Sequence, residues 1–125
     1  GMRFMILLML HAQIIMSGMA AILLGFGLLP LGGQFAVFLV FALGVFFQIG
    51  LLVGNATALA MEPLGAQAGL AASVMGSIGT LAAVLLAIPI GLAFDGTPMP
   101  LVLGALCLAI LSRSGMYLLP PREAA

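Results

Sequence analysis

Long apolar runs, separated by short segments rich in proline and glycine, occupy almost all of the 125-residue sequence. Hydrophobic residues make up 65% of the chain and charged residues only 5%, whereas a soluble domain carries about 25% charged residues. Because so few charges cannot cover a surface that faces water, the sequence predicts a chain that lives in a lipid bilayer. The runs do not alternate polar and apolar residues, so helices are expected and barrel strands are not.

The proline and glycine segments divide the chain into four predicted transmembrane helices, which gives an all-α, polytopic membrane protein with one membrane domain over residues 1–125. A helix of about 26 residues is about 39 Å long, which is enough to cross a hydrocarbon core of about 30 Å with some tilt. The first apolar run is too long for a signal peptide. The predicted helices span residues 4–29, 35–60, 65–94 and 101–119, and residues 120–125 form a tail.

The arginines predict the orientation of the four helices. Arg3 precedes the first helix, Arg113 lies near the end of the fourth, and Arg122 follows it. With four crossings all three lie on one side of the membrane, while the loops on the other side contain Asp95 and no Lys or Arg. The positive-inside rule therefore predicts a multi-pass protein of the cell (inner) membrane with both termini in the cytoplasm. The turn that carries Glu62 is then cytoplasmic too.

Composition and motifs exclude several classes of function. The chain has no net charge and no basic cluster, so nucleic acid is not an expected partner. Its single cysteine, Cys107, and its single histidine, His11, cannot make a metal site. We find no nucleophile–base pair, phosphate-binding loop or dinucleotide fingerprint, so no enzyme, catalytic residue or cofactor is predicted. For His11, a hydrogen bond to a neighbouring helix is preferred over a role as a proton relay.

Polar residues share faces on the first two predicted helices. On the first helix, Gln13 and Ser17 share a face. On the second, four residues fall within about 60° of arc; they are Phe41, Gly44, Gln48 and Asn55, and we call them the Gln48 face. The Gln48 face is the predicted substrate pathway, because it could line a polar cavity. The alternative is an interhelical hydrogen bond, worth about 0.6 kcal/mol; it remains open for Gln48 and is preferred for Asn55.

Small residues recur every three or four positions along the third predicted helix. We call them the small-residue stripe: Gly65, Gly69, Ser73, Gly76 or Ser77, Thr80, Ala83, Ala87 and Gly91. Small residues let membrane helices approach closely, so the stripe predicts tight packing against another helix and could serve a gate. Pro89 interrupts the same helix, and a bend is preferred there over a hinge. Glu62 precedes it, where a solvated acid that caps the helix is preferred over a gating role.

Residues 50–80, GLLVGNATALAMEPLGAQAGLAASVMGSIG, resemble a known family. They are similar to the turn between the tenth and eleventh spans of major facilitator superfamily transporters, and most similar to the Bcr/CflA (bicyclomycin-resistance type) drug-efflux branch. The matching positions are Asn55, residues 58–60, Pro63, Gly65, Ala68, Gly69, Ala72, Ser73 and Gly76.

The resemblance implies that the four helices are the ninth to twelfth spans of a twelve-helix transporter that exports small, mostly apolar compounds in exchange for protons. Gln48 would then face substrate, and the small-residue stripe would pack against a moving neighbour. The partners would be the bilayer, the other helices of the parent transporter, the substrate and protons. Since eight spans are missing, the chain is expected to be a fragment or truncated product that does not transport alone.

Two stand-alone alternatives remain open. The chain could be a four-helix membrane protein that acts as an oligomeric transporter, or a structural membrane subunit that packs by its small-residue stripe. The small multidrug transporters, which also have four spans, share a glutamate in the first span, and the first predicted helix has none.

Overall fold

The computed structural model describes residues 1–120 and is helical throughout, without a strand in that range. The helices are α1 (Met2–Gly25), α2 (Leu31–Met61), α3 (Ala68–Leu92) and α4 (Met99–Leu118), and a 3-10 segment (Glu62–Gln67) joins α2 to α3. The prediction of an all-α fold is confirmed. Arg122 and the rest of the predicted tail beyond Pro120 lie outside the described residues.

Three helical stretches are long and apolar enough to cross a membrane, which indicates a membrane protein: Met2–Gly25, Leu31–Leu92 and Met99–Leu118. The predicted count of four is not matched, because α2, the 3-10 segment and α3 follow one another directly and count as one stretch of 62 residues. A straight helix of that length would measure about 93 Å, about three times the hydrocarbon thickness.

The chain reverses direction inside this long stretch. Gly65 has φ 46° and ψ −116°, a conformation outside the helical region that glycine adopts without steric cost. Phe35 near the start of α2 and Phe94 just after α3 line the same cavity, so α2 and α3 run in opposite directions. Glu62 opens the 3-10 segment and α3 begins only at Ala68, so the capping of α3 by Glu62 stays a prediction.

Glycine and proline set the other helix boundaries. α1 ends at Gly25, four residues before the predicted end at residue 29, and Gly27 follows in the left-handed region with φ 61°. α2 begins directly after Pro30, whose ring holds φ near −62°, the value needed to enter a helix. The side chain of Gln34 donates a hydrogen bond of 2.9 Å to the carbonyl oxygen of Leu29 and so ties the first turn of α2 to the loop.

The core lies where α1 packs against both α2 and α4. Ala20 of α1, Phe41 of α2 and Val102 of α4 are buried together there. α3 contributes nothing to this core: over residues 69–92 only Ala71 and Ile90 are half-buried, and every other residue is exposed. The described chain therefore consists of a packed α1–α2–α4 cluster with α3 beside it.

One close contact holds the end of α3 to α4. A Cβ atom added at Gly104 of α4 would lie 2.6 Å from Cδ1 and 2.8 Å from Cγ1 of Ile90. The absence of a side chain at residue 104 thus makes the space that the Ile90 side chain occupies. This contact lies near the α3–α4 loop, so α3 is anchored at its C-terminal end.

Candidate functional site

The Gln48 face divides into two parts in the structure. Phe41 is only 3% exposed and lies in the core, and Gly44 faces the sulfur of Met16 on α1 so closely that an added Cβ atom would collide with it. Phe41 and Gly44 therefore form a contact between α1 and α2. A role for these two residues in a substrate pathway stays a prediction.

Gln48 and Asn55 form the other part of the face. The amide nitrogen of Asn55 donates a hydrogen bond of 2.8 Å to the carbonyl oxygen of Leu51. This bond lies within α2, so the interhelical bond preferred for Asn55 is not formed between described residues. Gln48 is half-buried, and within residues 1–120 its side chain makes no hydrogen bond. Its amide is thus the one on this face that makes no hydrogen bond within residues 1–120.

Most of the small-residue stripe is exposed; at its C-terminal end, Gly91 lines a cavity with residues of α2 and α4. Cβ atoms added at Gly65, Gly69 and Gly76 would have no atom within 4 Å. The hydroxyl groups on α3 bond within their own helix: Ser73 donates to Leu70 at 2.8 Å, Ser77 to Ser73 at 2.9 Å and Thr80 to Gly76 at 2.8 Å. The stripe therefore presents a small, neutral surface whose hydroxyl protons are already used. Pro89 lies inside α3, which continues to Leu92.

The polar residues of α1 bond within that helix. Nδ1 of His11 lies 2.6 Å from the carbonyl oxygen of Leu7, so the bond to a neighbouring helix that was preferred for His11 is not formed in the described chain. Gln13 donates a hydrogen bond of 2.9 Å to the hydroxyl oxygen of Ser17, which confirms that the two share a face. Ser17 is fully buried.

Arg3 has a structural role that sequence reasoning missed. Nη2 donates hydrogen bonds of 2.9 Å to the carbonyl oxygens of Met116 and Leu119, and Nη1 donates one of 3.1 Å to that of Pro120. In a continuing helix the Met116 carbonyl would accept from the N–H of residue 120, but proline has none. The guanidinium of α1 thus supplies donors to the end of α4. A basic residue in the first helix, paired with a Leu-Pro-Pro ending in the last, is the signal that could have indicated it.

Arg113 behaves differently, although it lies near the same end of α4. Its Nη2 donates a long hydrogen bond of 3.4 Å to the hydroxyl of Tyr117, and its guanidinium carbon lies 5.5 Å from the centre of the Tyr117 ring. Its Nε–H is buried and has no partner within residues 1–120. Arg113 therefore interacts mainly with a residue one turn away on its own helix.

Two cavities lie at opposite ends of the molecule. One, of about 720 Å³, lies between the start of α2, the end of α3 and the start of α4. The other, of about 740 Å³, lies where α1 begins and α2 and α4 end, and we call it the Arg3 groove. The Arg3 groove is lined by Arg3, Ile6, Ala56, Leu59, Ala60, Met116, Leu119 and Pro120. Gln48 lines neither of these two cavities, and its place in a substrate pathway stays a prediction.

No group of His, Cys, Asp and Glu side chains within residues 1–120 could hold a metal ion. No protein-family model matches the chain, and no curated protein or solved structure is significantly similar to it. The resemblance of residues 50–80 to major facilitator transporters therefore depends on that motif alone.

Proposed function

We propose that the chain is the C-terminal, four-crossing part of a proton-coupled multidrug efflux transporter of the Bcr/CflA type, which exports small, mostly apolar compounds. The observation that carries the proposal is the exposure of α3. Almost all of its residues between 69 and 92 are exposed, and Cβ atoms added at the stripe residues Gly69 and Gly76 would meet no neighbour within the described chain. A helix of this composition needs partner helices, because small residues stabilise membrane proteins only through close contacts. The rest of a twelve-helix transporter would supply them.

The reversal at Gly65 and the Arg3 contacts support four crossings. Because α2 and α3 run in opposite directions, each can cross the bilayer separately. The hydrogen bonds from Arg3 to the carbonyls of Leu119 and Pro120 bring the start of α1 beside the end of α4. An even number of crossings brings both chain ends to one side, and three crossings would separate them. Together with the positive-inside rule, this supports cytoplasmic termini.

The division of the Gln48 face supports distinct roles for its residues. Phe41 and Gly44 hold α2 against α1, in the packed scaffold. Gln48 keeps an amide without a hydrogen bond in the described chain, and a neutral donor and acceptor suits varied, uncharged substrates. We assign Gln48 to the substrate pathway. We assign the small-residue stripe and Pro89 to the contact with a neighbouring part of the transporter that moves during transport.

The exposed stripe also supports a second candidate, a stand-alone four-helix protein that works as an oligomer. A second copy of the chain could cover the same surface of α3 that the other helices of a transporter would cover. Cross-linking in native membranes distinguishes the two, because the oligomer gives adducts of two identical chains through α3. The transporter gives contacts between α3 and helices of different sequence.

The direct test is efflux by the full-length parent in cells that lack their own drug pumps. We expect its expression to lower ethidium accumulation and a proton uncoupler to abolish the effect. Gln48→Ala should change the resistance profile at unchanged protein level. Gln67→Ala is the matched control, since Gln67 is exposed in the 3-10 segment. No efflux by the parent would contradict the proposed function, and an unaltered profile for Gln48→Ala would remove Gln48 from the pathway.

A further inference from the structure

We propose that the Arg3 groove binds an anionic phospholipid, with the phosphate on the Arg3 guanidinium and one acyl chain along the apolar wall. The proposal concerns the membrane-embedded chain and does not depend on transport. It starts from the place of Arg3, a cation at the edge of a cavity of about 740 Å³ at one end of the helices.

The Arg3 guanidinium is held in place and still has free donors. Its three hydrogen bonds to α4 carbonyls use both N–H groups of Nη2 and one of Nη1. The Nε–H and the second N–H of Nη1 therefore remain for another acceptor. Because the α4 end positions the group, a phosphate oxygen that binds there does not have to order a free side chain. Charge-assisted hydrogen bonds to phosphate are among the stronger ones in proteins.

The wall of the groove suits a hydrocarbon chain. Ala56 and Ala60 lie one turn apart on α2. Their small side chains leave the space between α2, the start of α1 and the end of α4. Leu59, Ile6 and Met116 supply apolar surface around it, and no acidic residue is among those that line the groove. One cation at the edge of an otherwise uncharged cavity complements an amphipathic anion.

The location distinguishes a lipid from a soluble anion. The groove opens where three apolar helices end, which is the depth at which a phosphate headgroup meets the acyl region. The positive-inside rule predicts this end as cytoplasmic, and that leaflet carries the anionic lipids. One basic residue near the membrane surface favours an anionic lipid about fivefold over a zwitterionic one.

Lipid binding to the purified full chain in detergent tests the proposal, measured by native mass spectrometry with added phosphatidylglycerol, phosphatidylcholine or inorganic phosphate. We expect phosphatidylglycerol to bind about fivefold more tightly than phosphatidylcholine. Ala56→Phe should fill the groove and abolish this preference while Arg3 stays in place. Arg113→Gln removes a charge near the same end of α4 but outside the groove, and should keep the preference.

Three results of this binding experiment would overturn the proposal. The wild-type chain could bind both lipids equally, Ala56→Phe could keep the full preference, or inorganic phosphate could bind as tightly as phosphatidylglycerol and so show an anion site without an acyl chain. Because Ala56 is exposed, its substitution is expected to leave the fold intact, which circular dichroism checks. In the full-length parent, a photo-crosslinking residue at position 56 should give an adduct of lipid mass. An adduct to another helix would show that protein fills the groove and would overturn the proposal.

Discussion

Arg3 donates a hydrogen bond of 2.9 Å to the carbonyl oxygen of Leu119, across 116 positions of the sequence. The carbonyl groups in the last turn of a helix have no donors within it, and they carry the negative end of the helix dipole. Leu119 has ψ 126°, the extended conformation that a following proline favours, so α4 cannot continue. The first turn of α1 thus completes the last turn of α4.

Replacement of Arg3 should loosen this end of the helices. Arg3→Gln removes the charge and most of the donors, and we expect it to lower the free energy of unfolding by about 1–2 kcal/mol, since charged hydrogen bonds and dipole contacts are lost. Arg3→Lys should lower the free energy of unfolding less, because lysine keeps the positive charge. Thermal unfolding in detergent, followed by circular dichroism, measures both. An Arg3→Gln chain as stable as the wild type would contradict a capping role.

The contact between Gly104 and Ile90 predicts a second change in stability. Gly104→Ala would place a Cβ atom 2.6 Å from Cδ1 of Ile90, a side chain that branching at Cβ makes stiff. We expect a loss of about 1–3 kcal/mol from overpacking. Gly115→Ala is the matched control on α4, because no atom lies within 4 Å of its added Cβ, and better helix propensity should stabilise it slightly. The double variant with Ile90→Ala should recover part of the loss; no recovery would refute the close contact.

The Asp95 carboxylate in the α3–α4 loop predicts an effect of pH. The Thr97 hydroxyl donates to Oδ1, and the Thr97 backbone N–H donates to the same oxygen at 3.0 Å; these bonds lower the pKa of Asp95 from its ordinary value of 3.8. A carboxylate with a lowered pKa in the folded state stabilises the fold above the unfolded pKa, and this contribution is lost as pH falls through the folded pKa. We therefore expect wild type and Asp95→Asn to differ in melting temperature at pH 6, to begin to converge as pH falls below 3.8, and to coincide only below the lowered pKa of the folded state.

A nuclear magnetic resonance titration of the Asp95 carboxyl carbon measures the pKa of Asp95 in the folded chain directly. Its midpoint should lie below 3.8, and Thr97→Val should raise it by removing the hydroxyl donor. A midpoint at or above 3.8 in the wild type would show that the loop bonds do not form. Because Asp95 is solvent-exposed, this comparison is unaffected by changes in helix packing.

The small-residue stripe predicts that one substitution, Gly69→Leu, has different effects in the isolated chain and in the full-length parent. Gly69→Leu should leave the stability of the 125-residue chain nearly unchanged, since no atom lies within 4 Å of an added Cβ. In the parent it should reduce the amount of folded protein in the membrane, because a partner helix would cover the stripe. Gly79→Leu is the matched control, as Gly79 lies on α3 but outside the stripe. Normal levels of the Gly69→Leu parent would contradict close packing there.

Helix content and the main breaks were predictable from the sequence, and the reason is local. In lipid each backbone group must bond within its own segment, so apolar runs become helices whatever surrounds them. Breaks near Gly27 and Gly65 follow from conformations that side chains disfavour. The boundaries moved by a few residues because proline ahead of α2 and α4 can start a helix as well as end one. Three long apolar stretches are found where four were predicted, because the 3-10 segment connects α2 directly to α3.

The contacts of individual side chains were decided by the tertiary structure. Helical periodicity predicts that Phe41, Gly44 and Gln48 share a face of α2, but it carries no information on which face meets α1. The structure buries Phe41 at the contact with α1. For His11, the carbonyl of Leu7 lies within reach on its own helix, so no neighbour is needed.

The sequence by itself therefore determined the apolar helices and their breaks, because these depend on neighbouring residues and on the solvent. Only the tertiary structure decided that Arg3 caps α4 and that α3 stays exposed. Those features depend on which helices lie side by side, and that choice follows from packing between residues far apart in the chain.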